Sequence, residues 1–195
     1  MLEDLRDQLL AISAVEWVGM LTGFLGVWLS IKEKIAAWAA FVLCYLAYIY
    51  IGYQSSYYAF AGMNVAFVAI SIHGWIKWSK TKSESEESLK ICRVPASHWP
   101  VLGLVLIVCS FGIGYLLTDT GARFPYIDAF ATTCAFIAQW MLTRKQIETW
   151  LFWILSDIIY LSLYAIDQIW PTALLFLVFT GLALKGWRDW KQQLQ

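Results

Sequence analysis

Apolar residues run in seven long blocks along this chain, separated by short polar breaks. The blocks lie near 15–31, 37–52, 57–76, 99–117, 125–142, 150–167 and 171–187. Each approaches the ~20 residues a helix needs to cross the hydrocarbon core of a bilayer, so the pattern predicts seven transmembrane helices. Pro100, Pro125 and Pro171 stand at the starts of the fourth, fifth and seventh blocks. The first helical turn leaves N–H groups unpaired in any case, so proline costs little there. Only one polar stretch has any length, KWSKTKSESEESLKICRVPASHW between the third and fourth blocks. It reads as a mobile connecting loop.

Composition narrows the class. Hydrophobic residues make up 60% of the 195, and charged residues only 14%, where a soluble domain carries about 25%. Twelve tryptophans are present, as expected of rings gathered at bilayer interfaces. A soluble enzyme, a disordered chain and a disulfide-built secreted domain are excluded. Fourteen basic residues balance fourteen acidic ones, so no nucleic-acid partner is indicated. Cys44, Cys92, Cys109 and Cys134 form no CxxC pair and no Cys/His cluster, so neither a metal nor a cofactor is expected. The opening MLEDLRDQLL is acidic and amphipathic. It lacks the basic n-region of a cleaved signal peptide.

The basic residues orient the chain. Segments 32–37, 77–98, 143–149 and the tail from 185 carry 12 Lys or Arg, and the alternate segments carry 2. The positive-inside rule then predicts an outside N-terminus and a cytoplasmic C-terminus.

Shifting the sequence by 112 aligns 16–78 with 128–190 without gaps and gives 11 identities in 63 positions. Trp28, Trp38, Trp75 and Trp78 fall on Trp140, Trp150, Trp187 and Trp190, and Tyr48, Phe67 and Gly74 fall on Tyr160, Phe179 and Gly186. The spacing survives two loops, which shared interface anchors alone do not require. The expected architecture is one transmembrane transporter domain, 1–195, all-α, with a 3+1+3 order of helices. Repeat one covers 16–78, a loop and linker helix 79–124, and repeat two 125–190. The fourth span makes the two copies parallel, a transporter arrangement with the substrate at the midplane between the halves.

Polar residues inside the spans mark the candidate site. Asp157 lies seven residues into the sixth span, ~10 Å deep at 1.5 Å per residue. A carboxylate there costs about 2.5–3.5 kcal/mol unless it faces water, a partner or a cation. Trp150, Trp153, Asp157, Tyr160 and Tyr164 are spaced 3, 4, 3, 4, which is one face of a helix. The same face of the second span reads Trp38, Phe41, Tyr45, Tyr48, Gly52. A carboxylate among aromatic walls suits a flat cation, held by charge, stacking and cation–π attraction. The competing reading is an aromatic packing seam, and Trp150 serves equally as an interface anchor. Asn64 on the third span, and Gln139 with Thr132 and Thr133 on the fifth, offer hydrogen bonds to a substrate or to a neighbouring helix. His73 reads as an interface residue, and His98 carries no signal.

The run Ile147-x-x-Trp150-x-x-Trp153-x-x-x-Asp157 resembles the sixth-helix motif of the PnuC family of bacterial vitamin transporters. In that motif two spaced tryptophans precede an Asn or Asp. The opening EWVGMLTGFLGVWLSIKEKIAAW and the closing GWRDW are similar to that family as well. The resemblance spans all seven blocks. It implies a full-length relative of the SWEET fold, often trimeric, in which Trp150, Trp153 and Asp157 line the binding site. It also implies uptake of nicotinamide riboside without ion or ATP coupling, trapped by a cytoplasmic kinase that phosphorylates it. Close relatives in the family carry thiamine, riboflavin or deoxynucleosides. Asp at the last motif position leaves nicotinamide riboside and thiamine, both cationic and heteroaromatic, as alternatives; neutral riboflavin fits less well.

Other classes find weaker support. A retinal photoreceptor needs a buried lysine late in the seventh span, and Lys185 sits five residues before Trp190 at the basic edge. An intramembrane enzyme lacks HExxH and a paired intramembrane Asp. A SWEET-type sugar carrier gains nothing from a carboxylate.

Overall fold

The computed structural model describes residues 2–55, 58–84, 89–120 and 122–194. Eight α-helices occur among them: α1 (Leu2–Leu10), α2 (Ala14–Ile31), α3 (Ala36–Gln54), α4 (Tyr58–Glu84), α5 (Trp99–Leu117), α6 (Pro125–Thr143), α7 (Thr149–Ile166) and α8 (Trp170–Gln193). The chain divides into two compact units, Met1–Lys90 and Ile91–Gln195.

In the first unit α3 packs between α2 and α4. Helix α2 starts on a capping box: the Ser13 hydroxyl accepts the Glu16 N–H, and the Glu16 carboxylate accepts the Ser13 N–H. Gly19, Gly23 and Gly26 are buried on one side of α2. Small residues let helix backbones close together. Two aromatic rings of α3 use the space: a Cβ on Gly26 would come 2.6 Å from the Phe41 ring, and one on Gly19 3.2 Å from Tyr48.

In the second unit α7 packs between α6 and α8, and α5 lies on α6. Only Ser110 and Gly114 of α5 are buried. Val101, Leu104, Ile107, Val108, Phe111 and Leu116 are exposed, so α5 offers an apolar face to its surroundings. Helix α6 is the opposite case, with twelve buried residues, among them Thr132, Thr133, Gln139 and Thr143.

The offset of 112 extends to fine detail. Helices α2 and α6 end at 31 and 143, α3 and α7 at 54 and 166, and α4 and α8 begin at 58 and 170. Glu33 and Lys145, one offset apart, both adopt left-handed φ, 54° and 52°. The turns share their hydrogen bonds: Lys34 N–H donates to Leu29 O at 2.9 Å, and Gln146 N–H to Met141 O at 3.2 Å. Lys32 lies 5.6 Å from the Trp28 ring and Arg144 5.0 Å from the Trp140 ring. Trp38 meets Trp78 edge-on at 5.2 Å, and Trp150 meets Trp190 edge-on at 5.2 Å. Beneath each pair a glycine makes room: a Cβ on Gly74 would be 2.4 Å from Trp38, and one on Gly186 2.6 Å from Trp150.

Two expectations change. The polar stretch 77–98 is not a loop throughout. Helix α4 continues to Glu84, and residues from Cys92 dock on the α6–α7 turn. Cys92 N–H donates to Lys145 O at 3.0 Å, and Ile147 N–H to Cys92 O at 2.9 Å. Val94 N–H donates to the buried Glu148 carboxylate at 2.9 Å, while the Val94 side chain packs with Ile137 and Met141. Backbone pairing and one apolar anchor outweigh the polar composition. Residues 85–88 lie outside the described residues. The second change concerns the spans. Six helices are long and apolar enough to cross a membrane, and α6 is not among them. Its polar residues face protein instead of lipid, which lowers its hydropathy.

Candidate substrate site

Helix α7 supplies the centre of the site. It runs from Thr149 to Ile166, which puts Asp157 at its middle. Asp157 is 3% exposed, and among the described residues its carboxylate has neither a hydrogen bond nor an ion pair. Its neighbour Ser156 is satisfied by donating to Ala131 O at 3.0 Å. Buried carboxylates are normally paired, so Asp157 stands out as a group awaiting a partner.

The aromatic residues on this face fall into two kinds. Trp150 is 1% exposed and belongs to the Trp190–Gly186 contact; its indole N–H is buried without an acceptor. Trp153 is half-buried, and its ring touches no other aromatic ring among the described residues. Tyr160 lies tilted by 30° against Phe176 at 5.0 Å, and Tyr164 is stacked on the same ring at 5.6 Å. Gln139 is fully buried on α6, close in sequence to Ala138, whose carbonyl accepts the Thr149 hydroxyl at 2.7 Å.

In the first unit the corresponding residues serve packing. Phe41 is 6.0 Å from Trp38 and 6.2 Å from Tyr45, and Tyr45 stacks on Phe67 at 4.9 Å. Tyr48 meets Phe60 edge-on at 6.1 Å. Asn64 is buried on α4, and its Nδ2 donates to Phe60 O within the same helix at 2.9 Å. Its Oδ1 has no hydrogen bond among the described residues.

Sequence reasoning missed a polar cluster in the second unit. Asp128, in the first turn of α6, accepts the Tyr160 hydroxyl at 3.1 Å. The Thr132 and Tyr160 hydroxyls lie 2.7 Å apart. The available signal was the spacing of Asp128 and Thr132, i and i+4 on one helix face.

The profile of the nicotinamide mononucleotide transporter family matches residues 13–192. The chain belongs to the nicotinamide mononucleotide transporter family. Two of its relatives are nicotinamide riboside transporters named PnuC. The one from Escherichia coli K12 is 27% identical, with 92% of this chain and 85% of that protein covered. The one from Neisseria mucosa is 22% identical, with 89% and 70% covered. A riboflavin/roseoflavin transporter, RibM, from Streptomyces davaonensis is 19% identical, with 90% and 83% covered. The fold matches a crystal structure of the vitamin B3 transporter PnuC with a TM-score of 0.75. That match is 21% identical and covers 98% of this chain and 88% of that one.

As a member of this family the protein is a multi-pass membrane transporter and not an enzyme. Lys185 is consistent with this. Its side chain is 42% exposed and its amine pairs with Asp189 at 2.9 Å, unlike a lysine enclosed around a chromophore.

Proposed function

We propose that this transporter imports nicotinamide riboside by facilitated diffusion, with thiamine as the alternative substrate in the same site. The observation that carries the reading is the Asp157 carboxylate, 3% exposed at the middle of α7 and unpartnered among the described residues. A cationic aromatic ring supplies the missing charge and recovers the roughly 2.5–3.5 kcal/mol that such a carboxylate costs in a membrane. Trp153, half-buried and without another aromatic ring against it among the described residues, is the ring assigned to stacking and cation–π attraction. In this reading Gln139 and Tyr160 add polar and aromatic contacts in the second unit, and Asn64, Phe41, Tyr45 and Tyr48 are the candidates in the first. Trp150 contributes mainly by fixing α7 against α8.

In this reading the helices 16–78 and 125–190 are parallel repeats of a SWEET-like seven-span protein, with α5 as the linker. Alternating exposure of the site needs no ion or ATP, and phosphorylation by a cytoplasmic kinase keeps the gradient inward. The N-terminus faces outward, following the basic residues, and the protein assembles as a homotrimer in the inner membrane.

Calorimetric titration of the purified protein with nicotinamide riboside, and separately with thiamine, tests the reading. Binding of nicotinamide riboside alone is the expected result. Binding of thiamine alone moves the substrate and keeps the site; binding of neither overturns the proposal. Uptake into proteoliposomes is expected to be flat against an imposed pH gradient, and a steep dependence would overturn the uncoupled mechanism.

A further inference from the structure

One carboxylate of the second unit has no role in the reading above. Asp128 uses only one oxygen: Oδ1 accepts from Tyr160 at 3.1 Å and lies 3.5 Å from Thr132 Oγ1. With Thr132 donating to Tyr160 and Tyr160 to Asp128, both hydroxyl protons are spent. Oδ2 has no hydrogen bond among the described residues. No cation among the described residues neutralises it either. Arg123, the nearest basic residue in sequence, pairs with Asp167 at 2.8 Å and lies over the Phe124 ring at 5.2 Å.

The comparison at offset 112 sharpens this. Asp128 corresponds to Glu16, but Glu16 is tied to its own helix start, accepting the Ser13 N–H at 2.7 Å. Only in the second unit does the carboxylate reach a tyrosine of the next helix. That tyrosine is three residues beyond Asp157, ~4.5 Å along α7 at 1.5 Å per residue. From its middle toward its C-terminal end, α7 therefore presents an unpartnered carboxylate and then a tyrosine ring. A second, half-satisfied carboxylate is held against that ring's hydroxyl by α6.

The balanced net charge hides a matching gradient. In the orientation given above, the outer segments carry seven acidic and two basic residues. The cytoplasmic segments carry six acidic and twelve basic, with Asp157 between the two sets. A cation is drawn toward the outer ends of α6 and α7 and is repelled on the far side.

We propose that Asp128 is an outer binding station for the cationic ring on its way to Asp157, with Tyr160 as the aromatic surface shared by the two carboxylates. This rests on the import of a cationic heteroaromatic substrate proposed above. The test is concentration-dependent uptake of radiolabelled nicotinamide riboside into proteoliposomes. Asp128→Asn keeps an acceptor for Tyr160 and removes the charge. KM is expected to rise about tenfold with Vmax within about twofold, because a charge on the approach path governs encounter more than turnover. Asp128→Glu is expected to stay within about threefold of wild type, since it retains the charge. Wild-type KM should rise between about 20 and 300 mM salt as screening tightens.

An unchanged KM in Asp128→Asn, with wild type active, overturns the outer station and leaves the proposed function standing. An equal rise in Asp128→Glu also overturns it, because the charge would then not be what matters. If Asp128→Asn does not fold, a wild-type KM independent of salt overturns it. No uptake or binding by wild type overturns both readings.

Discussion

The two three-helix bundles are alike at one end and different in the middle. Trp38, Gly74 and Trp78 form the same interlocked contact as Trp150, Gly186 and Trp190. The turns that precede α3 and α7 share backbone conformation and hydrogen bonds. Two turns further along, the equivalent position is Tyr45 in one bundle and Asp157 in the other. Tyr45 is stacked on Phe67, whereas Asp157 is buried with no partner among the described residues. The difference teaches where each kind of constraint acts. Close helix packing around a large ring tolerates little change, so the tryptophan end is kept twice. The middle of the bundle is free to diverge, and here one bundle keeps an aromatic ring while the other takes a charge.

The strongest way to break that comparison is Asp157→Ala. Binding of nicotinamide riboside in calorimetry should weaken by about 2–5 kcal/mol, the range for truncating a buried charge partner. The same variant should melt a few degrees higher without ligand, because an unpartnered carboxylate costs stability in a membrane. Tyr45→Phe at the equivalent position should change neither quantity measurably. A lower melting temperature for Asp157→Ala would show that the carboxylate is structural.

Gly74→Ala and Gly186→Ala should be matched in effect. Each puts a methyl group into a tryptophan ring, and overpacking of this kind costs about 1–3 kcal/mol, readable as lowered thermal stability in detergent. Unequal losses would show that the two contacts differ in compliance. Trp38→Phe and Trp150→Phe should each cost somewhat less, about 1–2 kcal/mol, by leaving a cavity. Affinity separates the roles of the two rings. A loss of binding confined to Trp150→Phe would show that Trp150 touches substrate as well as packing α7. The smallest effect belongs to Arg123→Ala. Its pair with Asp167 is exposed, so the stability change should stay below about 0.5 kcal/mol.

Much of this was legible in the chain. Long apolar blocks and proline starts placed the helices, and the coincident tryptophans exposed the correspondence at 112. Asp157 announced itself because a lone charge in an apolar run has few innocent explanations. Other features could not be read. The docking of Cys92 and Val94 on the α6–α7 turn rests on backbone pairing between residues more than fifty positions apart, which leaves no periodic trace. The Asp128–Tyr160 bond joins two helices, and nothing in either helix alone distinguishes a bonded hydroxyl from a free one. The division of the α7 tryptophans, with Trp150 fully packed and Trp153 half-buried, depends on where Gly186 falls on a different helix.

Helix α6 has a further consequence, for the making of the protein. Its buried Thr132, Thr133, Gln139 and Thr143, with Asp128 at its start, make it the one long helix that is too polar to commit itself to lipid. A translocon that sorts segments one at a time by hydrophobicity gains little from α6 alone. It is retained by company: α5, strongly apolar, emerges first and packs along it, and α7 follows within six residues. Insertion of the second bundle is therefore a collective event, in which the polar residues of α6 are sheltered by neighbours before the chain is complete.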